Sequence, residues 1–303
     1  MELFGPDNIL CLQSRTAILR LIAIPSKTVE KYLQGRVAWV TGGASGMGAA
    51  IANALAERGA AVGIGSLVAA NSVPGQSVHL VTHSDIDAAV KHLVSKGTFA
   101  FGQALNVGDD GSTRDFFDRL VAALGPVDIL VNAAGSSGRH LLVDHPNDLW
   151  NTMLNVNLSG AYRTSKLCLP GMIDRKWGRI INIASTAANV GAVAHSAYCA
   201  SKSGLLGLSR CIALEGARFG VSCNVINPGF VATPQNSIGM KHQMQLDGID
   251  LSLAAYRKKV AKQIPQRRWI EASEIAALAA FLCQDDAFGI TGQDLTVAAG
   301  SLW

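Results

Sequence analysis

From Gly35 onward the chain alternates short apolar runs with longer stretches whose apolar residues recur every three or four positions. Val37–Val40, Ala60–Ile64, Phe99–Leu105, Asp128–Asn132, Arg179–Ala184, Ser222–Ile226 and Asp294–Val297 read as strands that are apolar throughout. Between them, Ala49–Arg58 reads as a helix with Ile51, Ala54 and Leu55 on one face. Ser112–Leu124, Leu149–Leu169, Ser196–Phe219 and Glu274–Leu282 read as further helices. Strands that hide both faces, alternating with amphipathic helices, predict an α/β fold: a doubly wound parallel sheet with helices on both sides. Two segments exceed what such a sheet needs. One is Leu67–Lys96, with an extra strand expected at Val78–Val81; the other is the polar, Met-containing stretch Pro234–Gln263. Long segments at the carboxyl ends of strands commonly cap ligands.

The 303 residues suit one domain over residues 35–303, preceded by an extension over residues 1–34. That extension lacks the basic and long apolar regions of a secretory signal and reads as a surface arm or packing helix. Hydrophobic residues make up 49% and charged ones 16%, which excludes disorder for the bulk of the chain. So low a charge points to surface hidden in an oligomer. The net charge of +4 comes with no run of like charges, so no nucleic-acid partner is expected. No apolar run approaches the roughly 18 residues of a membrane span, so no membrane partner is expected either. The six cysteines show no C-x-x-C spacing and read as buried, reduced thiols of a cytoplasmic protein.

The chemistry begins at Gly42-x-x-x-Gly46-x-Gly48, between the first strand and the first helix. A turn without Cβ atoms lets backbone approach a pyrophosphate, and the helix N-terminus offers free N–H groups. At the end of the second strand an Asp would favour NAD. Ser66 stands there instead, with no acid nearby, which favours NADP(H) over NAD(H). Farther on, Ser185, Tyr198 and Lys202 are spaced by 13 and 4 positions, so Tyr198 and Lys202 share a helix face. An ammonium beside a phenol lowers the phenol's pKa and fits it for proton transfer near neutral pH.

Together these motifs resemble the short-chain dehydrogenase/reductase family, in its single-domain subgroup with a Rossmann-type sheet. The match runs from Thr41-Gly42-x-x-x-Gly46-x-Gly48 through Asn132-Ala133-Ala134-Gly135, Asn157, Ser185 and Tyr198-x-x-x-Lys202 to Asn227-Pro228-Gly229. The resemblance implies an NAD(P)-dependent oxidoreductase moving hydride between nicotinamide and a secondary alcohol or ketone. It implies Tyr198 as general acid/base, Lys202 as its pKa modifier and a ribose contact, and Ser185 as the group that polarises the carbonyl. Asn157 would hold a relay water. Cofactor contacts would come from Gly42, Ser45, Gly46, Met47, Gly48, Ser66, Asn106, Val107, Asn132, Ala133, Ala134, Gly135, Tyr198, Lys202, Pro228, Gly229, Val231 and Thr233. The substrate, a small alcohol or carbonyl compound, would meet Ser136, Ser137, Ala187, Ala192 and His195. Few of these carry charge, which favours a neutral or moderately apolar substrate over a phosphorylated one.

The chain departs from the family pattern at Ala133, in place of a second Asn, and at Asn106-Val107, where Asp-Val is commoner. The loop after the second strand is also long. The likeness to carbonyl and 3-oxoacyl reductases is general; a sugar or polyol dehydrogenase and a non-catalytic nucleotide-binding scaffold are the alternatives. No metal is expected: His79 and His83 have chelating spacing only on a helix, and their neighbours look strand-like. The same resemblance implies a structural role for Arg267-Arg268-Trp269 and a subunit contact at the C-terminal Ala299–Trp303 of a homo-oligomer, a tetramer or dimer.

Overall fold

In β1 (Val37–Thr41) every residue is buried, because neighbouring strands flank it and helices cover both its faces. Ala38 and Val40 point into one apolar cluster and Trp39 into another, so alternate side chains serve the two faces. The structure, a computed structural model, describes residues 30–69, 73 and 75–301. Most of the expected 1–34 extension and Cys11 lie outside the described residues. Residues 31–34 belong with the core: Leu33 is buried, and the Tyr32 hydroxyl donates to the Ala280 carbonyl at 2.8 Å.

The elements follow as α1 (Gly46–Glu57), β2 (Ala61–Ser66), β3 (Gln76–Ser77), α2 (His83–Ser95), β4 (Ala100–Ala104) and α3 (Asp110–Leu124). Next come β5 (Ile129–Asn132), β6 (Ser137–Gly138), α4 (Asn147–Leu154), a π-helical turn (Asn155–Ser159) and α5 (Gly160–Asp174). The chain continues through β7 (Gly178–Ile183), α6 (Ser196–Gly216), β8 (Val221–Pro228), α7 (Pro234–Leu246), α8 (Leu253–Ala261), α9 (Ala272–Phe281) and β9 (Asp294–Val297). Seven strands form one parallel sheet in the order β4-β2-β1-β5-β7-β8-β9. This is the expected doubly wound sheet. The chain reverses its direction of travel between β1 and β5, and there an open α/β sheet leaves a crevice at its carboxyl edge. Buried Asp128 pins the opposite edge, accepting from the Val37 N–H at 3.1 Å and pairing with Arg175 at 3.2 Å.

Several expectations need correction. The extra strand lies at Gln76–Ser77 rather than Val78–Val81, because its antiparallel partner is Ser137–Gly138. His83 opens a helix inside Leu67–Lys96, where the residue pattern predicts only a strand. Thr82 caps it, with Asp85 returning a bond to the Thr82 N–H at 2.8 Å. The helix expected over Leu149–Leu169 extends at both ends and is interrupted by the π-helical turn. Pro234–Gln263 contains two helices, the first opened by capping Thr233 and by Pro234 in its first turn. Of the five described cysteines, Cys168, Cys223 and Cys283 are buried as expected, Cys199 is half-buried and Cys211 is exposed.

Candidate active site

The carboxyl ends of β1 and β5 are tied together by one hydroxyl. Thr41 Oγ1 accepts from the Ala133 and Ala134 N–H groups at 3.1 and 3.0 Å. Beyond this tie lies a cavity of about 190 Å³. Its wall includes Gly42, Ser45, Gly46, Met47, Gly48, Ser66, Asn106, Val107, Ala133, Ala134, Gly135, Ser136, Ser137, Tyr198, Lys202 and Thr233, all singled out in the sequence.

The glycine-rich turn is built as an anion cradle. A Cβ on Gly48 would sit 2.2 Å from the Gly42 carbonyl oxygen, and Gly46 has a φ of +54°. Residues with side chains are therefore excluded or strained at these points. Ser45 sits at the cap position of α1 without a side-chain cap bond, and no acid occupies the first turn. The helix thus presents uncapped N–H groups and the positive end of its dipole to the cavity. Among the described residues no Asp or Glu lines it. A dinucleotide's pyrophosphate and ribose fit these residues.

On the opposite wall α6 carries Tyr198 and Lys202 one turn apart. Lys202 is buried and donates from Nζ to the Ile183 carbonyl at 2.9 Å. Burial pushes its pKa down from 10.5 to about 8. Its ammonium lies 5.8 Å from the Tyr198 ring centroid. The Tyr198 phenol is shifted upward by burial, and the Ser185 hydroxyl beside it pulls partly the other way. The expected lowering by Lys202 is therefore not what this arrangement produces. The phenol is desolvated under a covered cavity, and the ammonium is engaged with a backbone carbonyl.

Other expected site residues lie outside the cavity wall. The Asn132 amide faces the core, donating to Asn182 Oδ1 at 2.8 Å and accepting from the Thr164 hydroxyl at 2.6 Å. Asn182 in turn donates to Ser209 at 2.7 Å. Asn132 thus anchors a buried polar network and lines no groove. Asn132→Ala is expected to cost about 1–3 kcal/mol per orphaned partner, read as a lower urea midpoint. Asn157 spends its side chain on Ser136, accepting from its N–H at 2.9 Å and donating to its carbonyl at 3.0 Å. It also donates to Ser201 at 3.0 Å. The Asn157 amide is thus committed to Ser136 and Ser201. Pro228, Gly229 and Val231 are absent from the wall: Gly229 packs against Ala298 and Val231 belongs to the core. Ala187 and Ala192 are absent as well; Ala187 donates its N–H to Ser185 Oγ at 3.1 Å. The His195 ring stands 6.0 Å from the Tyr198 ring, edge to face, and burial lowers its pKa.

The wall also holds residues that the motifs do not place in the site, among them Gln76, Val78, His79, Val81 and Gln235. The first four come from Leu67–Lys96 and the last from Pro234–Gln263, the two segments expected to cap a ligand. Gln235 joins them, donating to the Ser77 carbonyl at 2.7 Å and accepting from the His79 N–H at 2.6 Å. Residues 75–81 thus form a strap across the cavity. Elsewhere, Arg268 makes a two-pronged bond with Glu274 at 2.6 and 2.8 Å, in keeping with a structural role.

A parallel sheet with a glycine-rich cradle at its reversal point and a tyrosine–lysine pair facing it defines a nucleotide-dependent oxidoreductase. The short chain dehydrogenase family model matches residues 36–243, and the chain belongs to that family. It is 35% identical to the 3-oxoacyl-[acyl-carrier-protein] reductase FabG of Salmonella typhimurium, over 88% of this chain and 97% of the relative. It is 34% identical to the D-beta-hydroxybutyrate dehydrogenase of Cupriavidus necator, over 86% and 95%. The crystal structure of a variant actinorhodin polyketide ketoreductase with NADPH superposes with a TM-score of 0.79 at 32% identity, covering 88% of this chain and 97% of that one. The protein is an NAD(P)-dependent oxidoreductase acting on alcohol and keto groups. Among the described residues no helix is long and apolar enough to cross a membrane.

Proposed function

We propose that the protein is an NADP(H)-dependent reductase of a 3-oxo group on an acyl chain. The observation that carries this reading is the cavity that joins an uncapped glycine cradle to Tyr198 and Lys202 with no carboxylate in its wall. A carboxylate at the end of β2 would favour an unphosphorylated ribose and repel a 2′-phosphate; Ser66 does neither. The relatives named for 3-oxoacyl and 3-hydroxybutyrate substrates support the acyl assignment, and the NADPH of the ketoreductase structure supports the coenzyme.

Gly42, Gly46, Met47 and Gly48 would hold the pyrophosphate through backbone N–H groups. Lys202 and Thr233 would lie towards the nicotinamide end. The nicotinamide supplies hydride when bound. Tyr198 gives its phenolic proton to the substrate oxygen as charge develops there, and Ser185 donates a second hydrogen bond to that oxygen. The Lys202 ammonium stabilises the phenolate left behind, a favourable pairing in a desolvated site. In the oxidative direction Tyr198 takes the proton back. Asn157, through Ser136 and Ser201, holds the floor on which this pair rests. The catalytic domain would cover residues 35–303, acting in the cytoplasm as a homo-oligomer.

The test is a purified enzyme assayed with acetoacetyl-coenzyme A and with a panel of sugars and polyols, each with NADPH and NADH. Turnover of the 3-oxoacyl thioester with NADPH well above every sugar is the expected result. Preference for a polyol, or for NADH, would overturn the reading.

A further inference from the structure

Among the described residues two side chains in the cavity wall can carry positive charge, Lys202 and His79. Lys202 is committed to the Ile183 carbonyl and the Tyr198 side. His79 borders the cavity and also a second one beside it, whose wall includes Gly43, Ala44, Ser45, Asp85 and His92. His79 therefore stands where the two meet, alongside the glycine-rich turn. At that turn Ser66 Oγ accepts from the Ala44 N–H at 3.0 Å, which leaves its own O–H free to donate. Ser45 borders both cavities and makes no side-chain cap bond. Two hydroxyls and an imidazole thus line the same cavity near the end of β2, where the ribose is read. No Arg or Lys follows Ser66 before His79.

We propose that His79, carried by the strap, is the cationic contact for the coenzyme's 2′-phosphate, with the Ser45 and Ser66 hydroxyls as its hydrogen-bond donors. The proposal rests on the NADP(H) reading above and deepens it. A phosphate needs a charged or multiply donating site, and an imidazole with two hydroxyls supplies one. The strap geometry presents the residue: the His79 backbone N–H is held by Gln235, so the ring is positioned by a tie independent of its own chemistry. Asp85 is the acid that faces His79, and its carboxylate is taken up chiefly by the Thr82 N–H and hydroxyl. It is solvent-exposed, so water screens its repulsion of a phosphate.

The experiment is calorimetric binding of NADP+ and NAD+ to the wild-type chain and to His79→Ala, His79→Gln and His79→Arg. The Ala and Gln variants are expected to weaken NADP+ by about tenfold, the scale of one hydrogen bond to a charged group. NAD+ binding should stay within about twofold, which also reports that the variants fold. His79→Arg is expected to restore NADP+ binding. Equal weakening of both coenzymes would make His79 a structural part of the strap and overturn the proposal, as would NADP+ binding unmoved by Ala. A wild-type chain that binds NADP+ no better than NAD+ would overturn the coenzyme reading itself, and the His79 assignment with it.

Discussion

Tyr198→Phe is expected to lower kcat by roughly 10²–10⁴-fold, the worth of a positioned proton donor. Coenzyme affinity should change by less than about twofold. The variant keeps the ring, so the edge-to-face contact with His195 and the packing of α6 survive. What it loses is the O–H beside Ser185. Because burial raises the phenol's pKa, the proton is held there at neutral pH and is available for donation rather than already lost. Steady-state kinetics with a ketone, beside coenzyme titration of the same preparations, make the check. Turnover equal to the parent's would show that another group carries the proton and would remove the basis of the mechanism.

The second large effect concerns stability. Lys202 is a cation held in a buried site, and its depressed pKa of about 8 corresponds to roughly 3 kcal/mol of unfavourable burial. Its folded pKa lies below the unfolded value, so this cost is fully present below pH 8. It fades as pH rises towards 10.5, where the unfolded chain also loses the proton. Lys202→Met fills similar space without the charge. It is expected to abolish most turnover yet to raise Tm by several degrees at pH 7, after the loss of the bond to Ile183 is set against the gain. The advantage should shrink between pH 8 and 10.5. A Tm that falls at pH 7 would show that the bond to Ile183 outweighs the buried charge. A melting curve at three pH values settles it, and its outcome does not depend on the substrate.

Much of this architecture was legible from spacing alone. The central strands of the main sheet announce themselves as apolar runs, since a parallel strand covered on both faces tolerates little else, whereas the edge strands β4 and β9 are only partly buried. The cradle was legible because glycines at fixed separations leave few alternatives, and Tyr198 and Lys202 because four residues make one helical turn. The strap was harder to read. A two-residue strand such as Gln76–Ser77 has no periodicity, and its registered partners, Gly138 for Gln76 and Ser137 for Ser77, lie far along the chain. Helix α7 was obscured because Gln, Met, Ser and His give it no apolar face, although Thr233-Pro234 marked its start. The misplacement of Asn132 has another cause. Successive residues at a strand end point to opposite faces, and only the loop that follows turns towards the cavity. Asn132 is the last to point inward.

The Gln235 amide links two walls contributed by stretches 158 residues apart. At about 190 Å³ the enclosed space is smaller than the roughly 300–1,000 Å³ of ordinary small-molecule sites. A dinucleotide pressing outward on one wall must draw the other with it, so product release is coupled to movement of the strap. Catalytic throughput then becomes a matter of traffic as well as chemistry, and thickening the solvent with sucrose should slow the cycle even where the hydride step is untouched.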